Sequence, residues 1–222
     1  MALILNIETA TTNCSVSLSE DGKTLVLKED MGAGYSHAET LHLFIDEVFK
    51  TAKIKPSEID AVAVSKGPGS YTGLRIGVSA AKGLCFTLEK PLIAVDTLES
   101  LAHQVATDHG CIVPMLDARR MEVYSAIYGA KFALIRETEA EILTEESFAS
   151  ELNKGKVYFI GNGVEKTKAI IQHPNAIFIE GKLPSANQMA SLSELKYDKS
   201  DTEDVAYFEP YYLKDFIASK KA

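Results

Sequence analysis

The run Gly67-Pro68-Gly69-Ser70-Tyr71-Thr72-Gly73-Leu74-Arg75-Ile76-Gly77 is the densest concentration of chemically useful backbone in the chain. A glycine-rich turn that opens a helix presents N–H groups in a partial positive field, so Gly67, Gly69, Ser70 and Thr72 are candidate contacts for an anion or phosphate. The run has neither the Gly-x-x-x-x-Gly-Lys-Ser/Thr of a phosphate-binding loop nor a dinucleotide fingerprint, and its plainer reading is a tight strand-to-helix connection. A second cluster, Asp117-Ala118-Arg119-Arg120, sets an acid and two guanidinium groups at an expected strand-to-strand turn. There Arg119 is a candidate grip for phosphate or a partner carboxylate, against the plainer reading of a solvated hairpin with a local ion pair.

Metal and nucleophile chemistry find less to build on. His37 and His42 are five residues apart, which at ~100° per residue sets them about 140° apart around a helix, so they cannot close on one ion. Both are expected at the surface or capping a helix. His103, His109 and His173 lie on other segments without ligand spacing, and Ser70, Thr72 and Ser79 lack a sequence-adjacent base. Cys14, Cys85 and Cys111 are odd in number with no metal or redox spacing, which suits buried thiols in a reducing compartment.

The elements that must position these residues follow from periodicity. Leu3 to Ile7 reads as a buried strand, and Ser15–Ser19 and Thr24–Lys28 as half-exposed strands joined at Asp21-Gly22. Ser36 can cap a helix carrying Leu41, Phe44, Ile45, Val48, Phe49 and Ala52 on one stripe, ending before Pro56. Ala61–Ser65 is a strand, Thr72–Leu88 a second helix, Ile93–Val95 a strand, and Asp96 opens a helix through Ala106. The second half repeats the order, with strands at Cys111–Leu116, Glu122–Tyr128 and Phe132–Glu137 and a helix opening near Thr144. A strand at Val157–Ile160, a helix to Gln172, a strand at Ala176–Ile179 and a helix from Ser185 complete it. Hairpin strands followed by alternating strand and helix, occurring twice, predict two mixed sheets flanked by helices, divided at 1–107 and 108–222. The last helix is allowed to pack back on the N-terminal lobe.

With 222 residues, 46% of them hydrophobic and 24% charged, the chain has the composition of an ordinary globular protein. Its apolar runs are far shorter than the ~20 residues a membrane span needs, and Met1 to Glu8 has no basic n-region, so a cytoplasmic protein is expected. The net charge of −8 lacks the basic footprint of a protein that neutralises many phosphates alone, so any nucleic-acid role must be shared.

On its motifs the chain resembles the YeaZ family, also called TsaB. The strongest match is Gly67 through Gly77 followed by Ser79-Ala80-Ala81-Lys82-Gly83-Leu84, where the family reads GPGSFTGLRIG and AKGLA and Tyr71 replaces the usual Phe. Supporting matches are Ile7-Glu8-Thr9-Ala10, Ser36-His37-Ala38-Glu39, Asp96-Thr97-Leu98-Glu99, Asp117 through Tyr124, Gly161-Asn162-Gly163 and Pro210-Tyr211-Tyr212-Leu213-Lys214. The resemblance implies an α/β, actin/Hsp70-like (ASKHA, RNase H-like) fold, a duplicated βββαβαβα in two lobes. It implies a non-catalytic subunit of the bacterial system that makes threonylcarbamoyladenosine in tRNAs reading codons that begin with adenine. The implied partners are the TsaD transferase and the TsaE ATPase, with tRNA met indirectly through the complex, while a homodimer of the chain alone stays open. No cofactor is required of this chain, and a nucleotide at the partner interface stays open. Glu8 stands where nucleotide-splitting members of the wider fold commonly carry an Asp, which counts against the alternative of an ATP-hydrolysing or kinase-like enzyme. A metallopeptidase-like protein is the other alternative.

The resemblance also implies that partners meet two helices of the N-terminal lobe, which picks out Leu41, Phe44, Ile45, Val48, Gly73, Leu74, Arg75, Gly77, Ala80, Ala81 and Leu84. In the second helix Leu74, Val78, Ala81, Cys85 and Leu88 form the stripe suited to the sheet. Beside it Gly73, Gly77, Ala80 and Leu84 form a second stripe of mostly small residues, and a helix-interior glycine costs roughly 1 kcal/mol relative to alanine. Gly77 is therefore expected to admit another helix, either the partner's or the protein's own first helix, and Gly77→Leu to keep its fold while losing the partner.

Overall fold

The computed structural model describes residues 2–32 and 37–214. Ser36, the expected helix cap, lies outside the described residues.

The chain opens as an antiparallel meander of Leu3–Glu8 (β1), Cys14–Glu20 (β2) and Lys23–Asp30 (β3). Asp21 and Gly22 both take positive φ, 55° and 72°, the two-residue turn whose twist matches a hairpin. His37–Ala52 (α1), Ala61–Gly67 (β4), Tyr71–Leu88 (α2), Leu92–Asp96 (β5) and Thr97–Ala102 (α3) follow. β4 and β5 join parallel beside β1, in the order β3-β2-β1-β4-β5. The second half copies this with Cys111–Asp117 (β6), Glu122–Gly129 (β7), Leu134–Ile142 (β8), Ala149–Lys154 (α4), Val157–Ile160 (β9), Val164–Ile170 (α5), Ala176–Ile179 (β10) and Ala186–Asp198 (α6). Its sheet order, β10-β9-β6-β7-β8, is the first sheet's order read from the other end.

Each sheet is covered on both faces, and the covering helices cross between the lobes. α1 and α2 lay Leu41, Ile45, Val48, Val78 and Ala81 on one face of the first sheet. The other face, with Ile4, Ala63 and Ile93, is covered by Ala186, Met189 and Leu192 of α6, from the far end of the chain. Reciprocally, Leu98, Leu101 and Ala102 of α3 pack with Ile112, Leu116 and Ala126 of the second sheet. The division at 107/108 therefore separates the sheets while each third helix belongs by packing to the opposite one.

Four elements differ from expectation for identifiable reasons. α3 stops at Ala102, where the His103 ring nitrogen joins the backbone in bonding the Glu99 carbonyl (2.9 Å) and the ring stacks on Phe132 at 3.7 Å. β8 starts at Leu134 and runs to Ile142, because Lys131 and Phe132 take left-handed φ of 58° and 60° and close a turn in place of a strand. The helix expected near Thr144 begins at Ala149, since the Ser147 hydroxyl accepts the Thr144 N–H (3.0 Å) and Phe148 is left-handed at φ 59°. α5 ends at Ile170 and not at Gln172, with Ile171 extended and buried in the second core.

Candidate functional site

The glycine-rich run is shaped by what passes beneath it. After β1 the chain bends through Thr9 and Ala10 directly under the start of α2. The Ala10 carbonyl accepts the Ser70 N–H (2.7 Å), and the Thr9 hydroxyl donates to the Gly73 carbonyl (2.8 Å). A Cβ on Gly69 would lie 2.4 Å from the Ala10 carbonyl oxygen, one on Gly73 2.2 Å from that of Thr9, and one on Gly77 2.3 Å from Thr9 Oγ1. These glycines let a helix settle on the β1 exit. Ser70 caps α2 by accepting the Gly73 N–H at 3.2 Å. Two donors that an anion would need, Ser70 N–H and Gly73 N–H, are thus already bonded, and the tight strand-to-helix connection accounts for the motif.

This packing corrects the expectation for Gly77. Its close neighbour is Thr9, neither the first helix nor an outside partner, because the β1 exit and not α1 runs beneath that side of α2. The same holds for most of the residues expected at a partner surface. Leu41, Ile45, Val48, Gly73, Leu74, Gly77 and Ala81 are buried within the lobe. Phe44, Ala80 and Leu84 are half-buried, and Arg75 is exposed.

The outward face of α2 is carried by Thr72, Ser79, Gly83, Phe86 and Thr87. Gly83 projects ~180° from the buried Leu74 around the helix, and a Cβ there would meet nothing within 4 Å among the described residues. Phe86 is 82% exposed. Ile76, Ser79, Ala80, Gly83, Leu84 and Leu88, with Ala38 and His42 of α1, line a groove of about 830 Å³. Sequence reasoning missed Gly83 as a feature of this face, although its projection opposite Leu74 was the signal that could have found it.

Between the lobes lies a cleft of about 710 Å³ walled by Thr11, Gly69, Ser70 and Thr72 on one side and by Asp117, Arg119, Tyr124 and Asn162 on the other. Tyr211 to Lys214 close its rim. The candidate anion contacts Gly69, Ser70, Thr72 and Arg119 therefore come together across one cleft. Gly67 does not join them, being buried under the Tyr211 backbone at φ 118°. The expected local ion pair at Asp117 also differs, because the acid pairs with Lys166 of α5 at 2.7 Å. Lys166 further donates to the carbonyls of Arg120 (3.0 Å) and Glu122 (2.5 Å) and holds the hairpin whose Arg119 and Arg120 are left-handed.

Glu8 is fully buried at the end of β1. One carboxylate oxygen accepts the Ala10 N–H (2.6 Å) and the Ser65 hydroxyl (2.8 Å), while the other has no hydrogen-bond partner among the described residues. Burial pushes its pKa up to about 7, and hydrogen bonding by Ala10, Ser65 and Thr9 only partly opposes that rise. His37, expected at the surface or capping a helix, is the first residue of α1 and is buried, because the Thr11 carbonyl takes a donor there. Nε2–H supplies it at 2.6 Å, while His42 is exposed in the groove. All three cysteines are buried thiols, and burial raises Cys14 and Cys111 to about 11 and Cys85 to about 12. Among the described residues, no three His, Cys, Asp or Glu side chains converge as a metal ion would require, and no helix is long and apolar enough to cross a membrane.

Comparison with known proteins gives this geometry a context. The family model of TsaD, tRNA N6-adenosine threonylcarbamoyltransferase, matches residues 32–222. The tRNA threonylcarbamoyladenosine biosynthesis protein TsaB of Escherichia coli K12 is 31% identical, covering 98% of this chain and 97% of its own length. YeaZ from Pseudomonas aeruginosa is 26% identical with a TM-score of 0.80, covering 96% of this chain and all of that one. A second structure, described as similar to peptidase YeaZ from P. aeruginosa, has a TM-score of 0.85 at 24% identity and carries the same two-lobed fold. The chain belongs to the TsaD-like family and, within it, to the TsaB (YeaZ) family of tRNA threonylcarbamoyladenosine biosynthesis proteins.

Proposed function

We propose that this chain is a non-catalytic subunit of the system that installs threonylcarbamoyladenosine in tRNA, pairing with a TsaD-type transferase through the outward face of α2. The observation that carries this reading is Gly83. A glycine inside a helix costs about 1 kcal/mol relative to alanine, and at Gly83 nothing among the described residues uses the space it leaves. A helix laid along Ile76, Ala80, Gly83 and Leu84 would use it, since small residues let two backbones approach closely. The non-catalytic part of the reading draws support from Glu8, sealed away from the cleft wall, and from His37, committed to the Thr11 carbonyl. The net charge of −8 argues that tRNA is held chiefly by the partner, with a TsaE-type ATPase completing the assembly.

A deletion strain tests the reading. tRNAs that read codons beginning with adenine should lose the threonylcarbamoyl group by nucleoside mass spectrometry and regain it when the chain is supplied. Normal modification in the deletion strain contradicts the proposal. Turnover of ATP by the purified chain at enzyme-like rates would contradict its non-catalytic part.

A further inference from the structure

After α6 the chain returns along the polar edge of α2 and crosses to the other lobe. Glu203 pairs with Leu92 at the edge of the first sheet through its N–H at 2.8 Å. Lys82 donates to the carbonyls of Ala206 (3.1 Å) and Phe208 (2.9 Å), and the Tyr211 N–H to that of Lys66 (2.7 Å). The Tyr212 ring lies 5.0 Å from that of Tyr71, and its hydroxyl accepts from Arg75 Nε at 3.3 Å. Arg75 also sits over the Tyr71 ring, 4.2 Å from its centroid. Two residues later Lys214 pairs with Glu122 on β7, in the opposite lobe.

Tyr71 and Thr72 line both the groove and the cleft, and Arg75 lines the groove while holding Tyr212 on the cleft rim. From this arrangement we infer that the segment 203–214 is a strap through which docking in the α2 groove fixes the interlobe cleft. The inference rests on the α2 face being the docking face. A partner helix over Thr72, Arg75 and Ile76 removes water from the Arg75–Tyr71–Tyr212 cluster. The Arg75 Nε–H that donates to the Tyr212 hydroxyl is a charged donor, and its hydrogen bond strengthens when water no longer competes for it, so docking tightens the grip on Tyr212. Tyr212 is followed at once by Leu213 and by Lys214, whose ion pair is the strap's hold on the second lobe. Tightening one end therefore limits the opening of the cleft.

Hydrogen exchange on the full chain, free and bound to the TsaD-type transferase of the same organism, tests the strap. The amides of Tyr211 to Lys214 should exchange roughly fivefold more slowly in the complex, the order expected when one hydrogen bond to a charged donor is desolvated. In Tyr212→Leu, whose complex should still form, that slowing should vanish at the Tyr211 amide. A complex with unchanged or faster exchange at these amides overturns the coupling while leaving the docking face intact. Slowing that persists in Tyr212→Leu overturns Tyr212 as the link. Failure of the wild-type chain to form any complex overturns the docking face and the coupling together.

Discussion

Thr9 Oγ1 lies 2.3 Å from where a Cβ on Gly77 would stand, and the same hydroxyl donates to the Gly73 carbonyl at 2.8 Å. Thr9 is thus the residue that sets how close α2 sits to the first sheet. Gly77→Ala should lower stability, because overpacking costs about 1–3 kcal/mol against roughly 1 kcal/mol of regained helix propensity. Combining it with Thr9→Ala should recover part of the loss, and Gly77→Leu should not fold cooperatively. Urea unfolding of the three variants checks this, and a Gly77→Leu chain as stable as wild type would place the neighbour elsewhere.

Glu8 makes stability fall as pH rises. Its folded pKa of about 7 stands above the 4.5 of an ordinary glutamate, so the folded state holds the proton over a range in which the unfolded chain has released it. The contribution of the protonated acid is fully present below pH 4.5 and is lost progressively as pH rises through about 7. The full effect is roughly 3 kcal/mol at 1.36 kcal/mol per unit of pKa. Glu8→Gln, which imitates the neutral acid, should match wild type at acid pH and exceed it above pH 7. Denaturation midpoints measured from pH 5 to pH 8.5 check this, and parallel curves for the two proteins would show that Glu8 does not titrate there.

His37→Leu should cost about 1–3 kcal/mol, because the buried Thr11 carbonyl loses the donor that now stands 2.6 Å away. Thermal unfolding of the variant checks it. A neutral result would mean that another donor reaches Thr11.

Much of this architecture is legible from local pattern. The duplicated order of strands and helices follows from period-two and period-3.6 apolar spacing, and the turn at Asp21-Gly22 from its dipeptide. What failed depends on contacts distant in the chain. Local spacing shows that Gly77 needs room but not whose atoms occupy it, and the answer, Thr9, lies 68 positions away. Asp117 reads as the partner of an adjacent arginine, while its cation is Lys166 from another element. The late start of β8 turns on Phe132 leaving the strand to stack on His103 of the opposite half. The Gly69–Ser70–Thr72 and Arg119 walls of the cleft were each found in sequence, yet only the fold shows that they face one another.

Gly83 isolates the outward face of α2, because an added Cβ there has nothing among the described residues within 4 Å. Gly83→Ala should stabilise the free chain by up to about 1 kcal/mol through helix propensity alone. Gly83→Leu should keep a cooperative unfolding transition at or above the wild-type midpoint. The decisive measurement is the affinity of Gly83→Leu for the TsaD-type transferase, read by calorimetry beside wild type. Loss of detectable binding by a folded variant is the predicted result, and wild-type affinity would contradict the account.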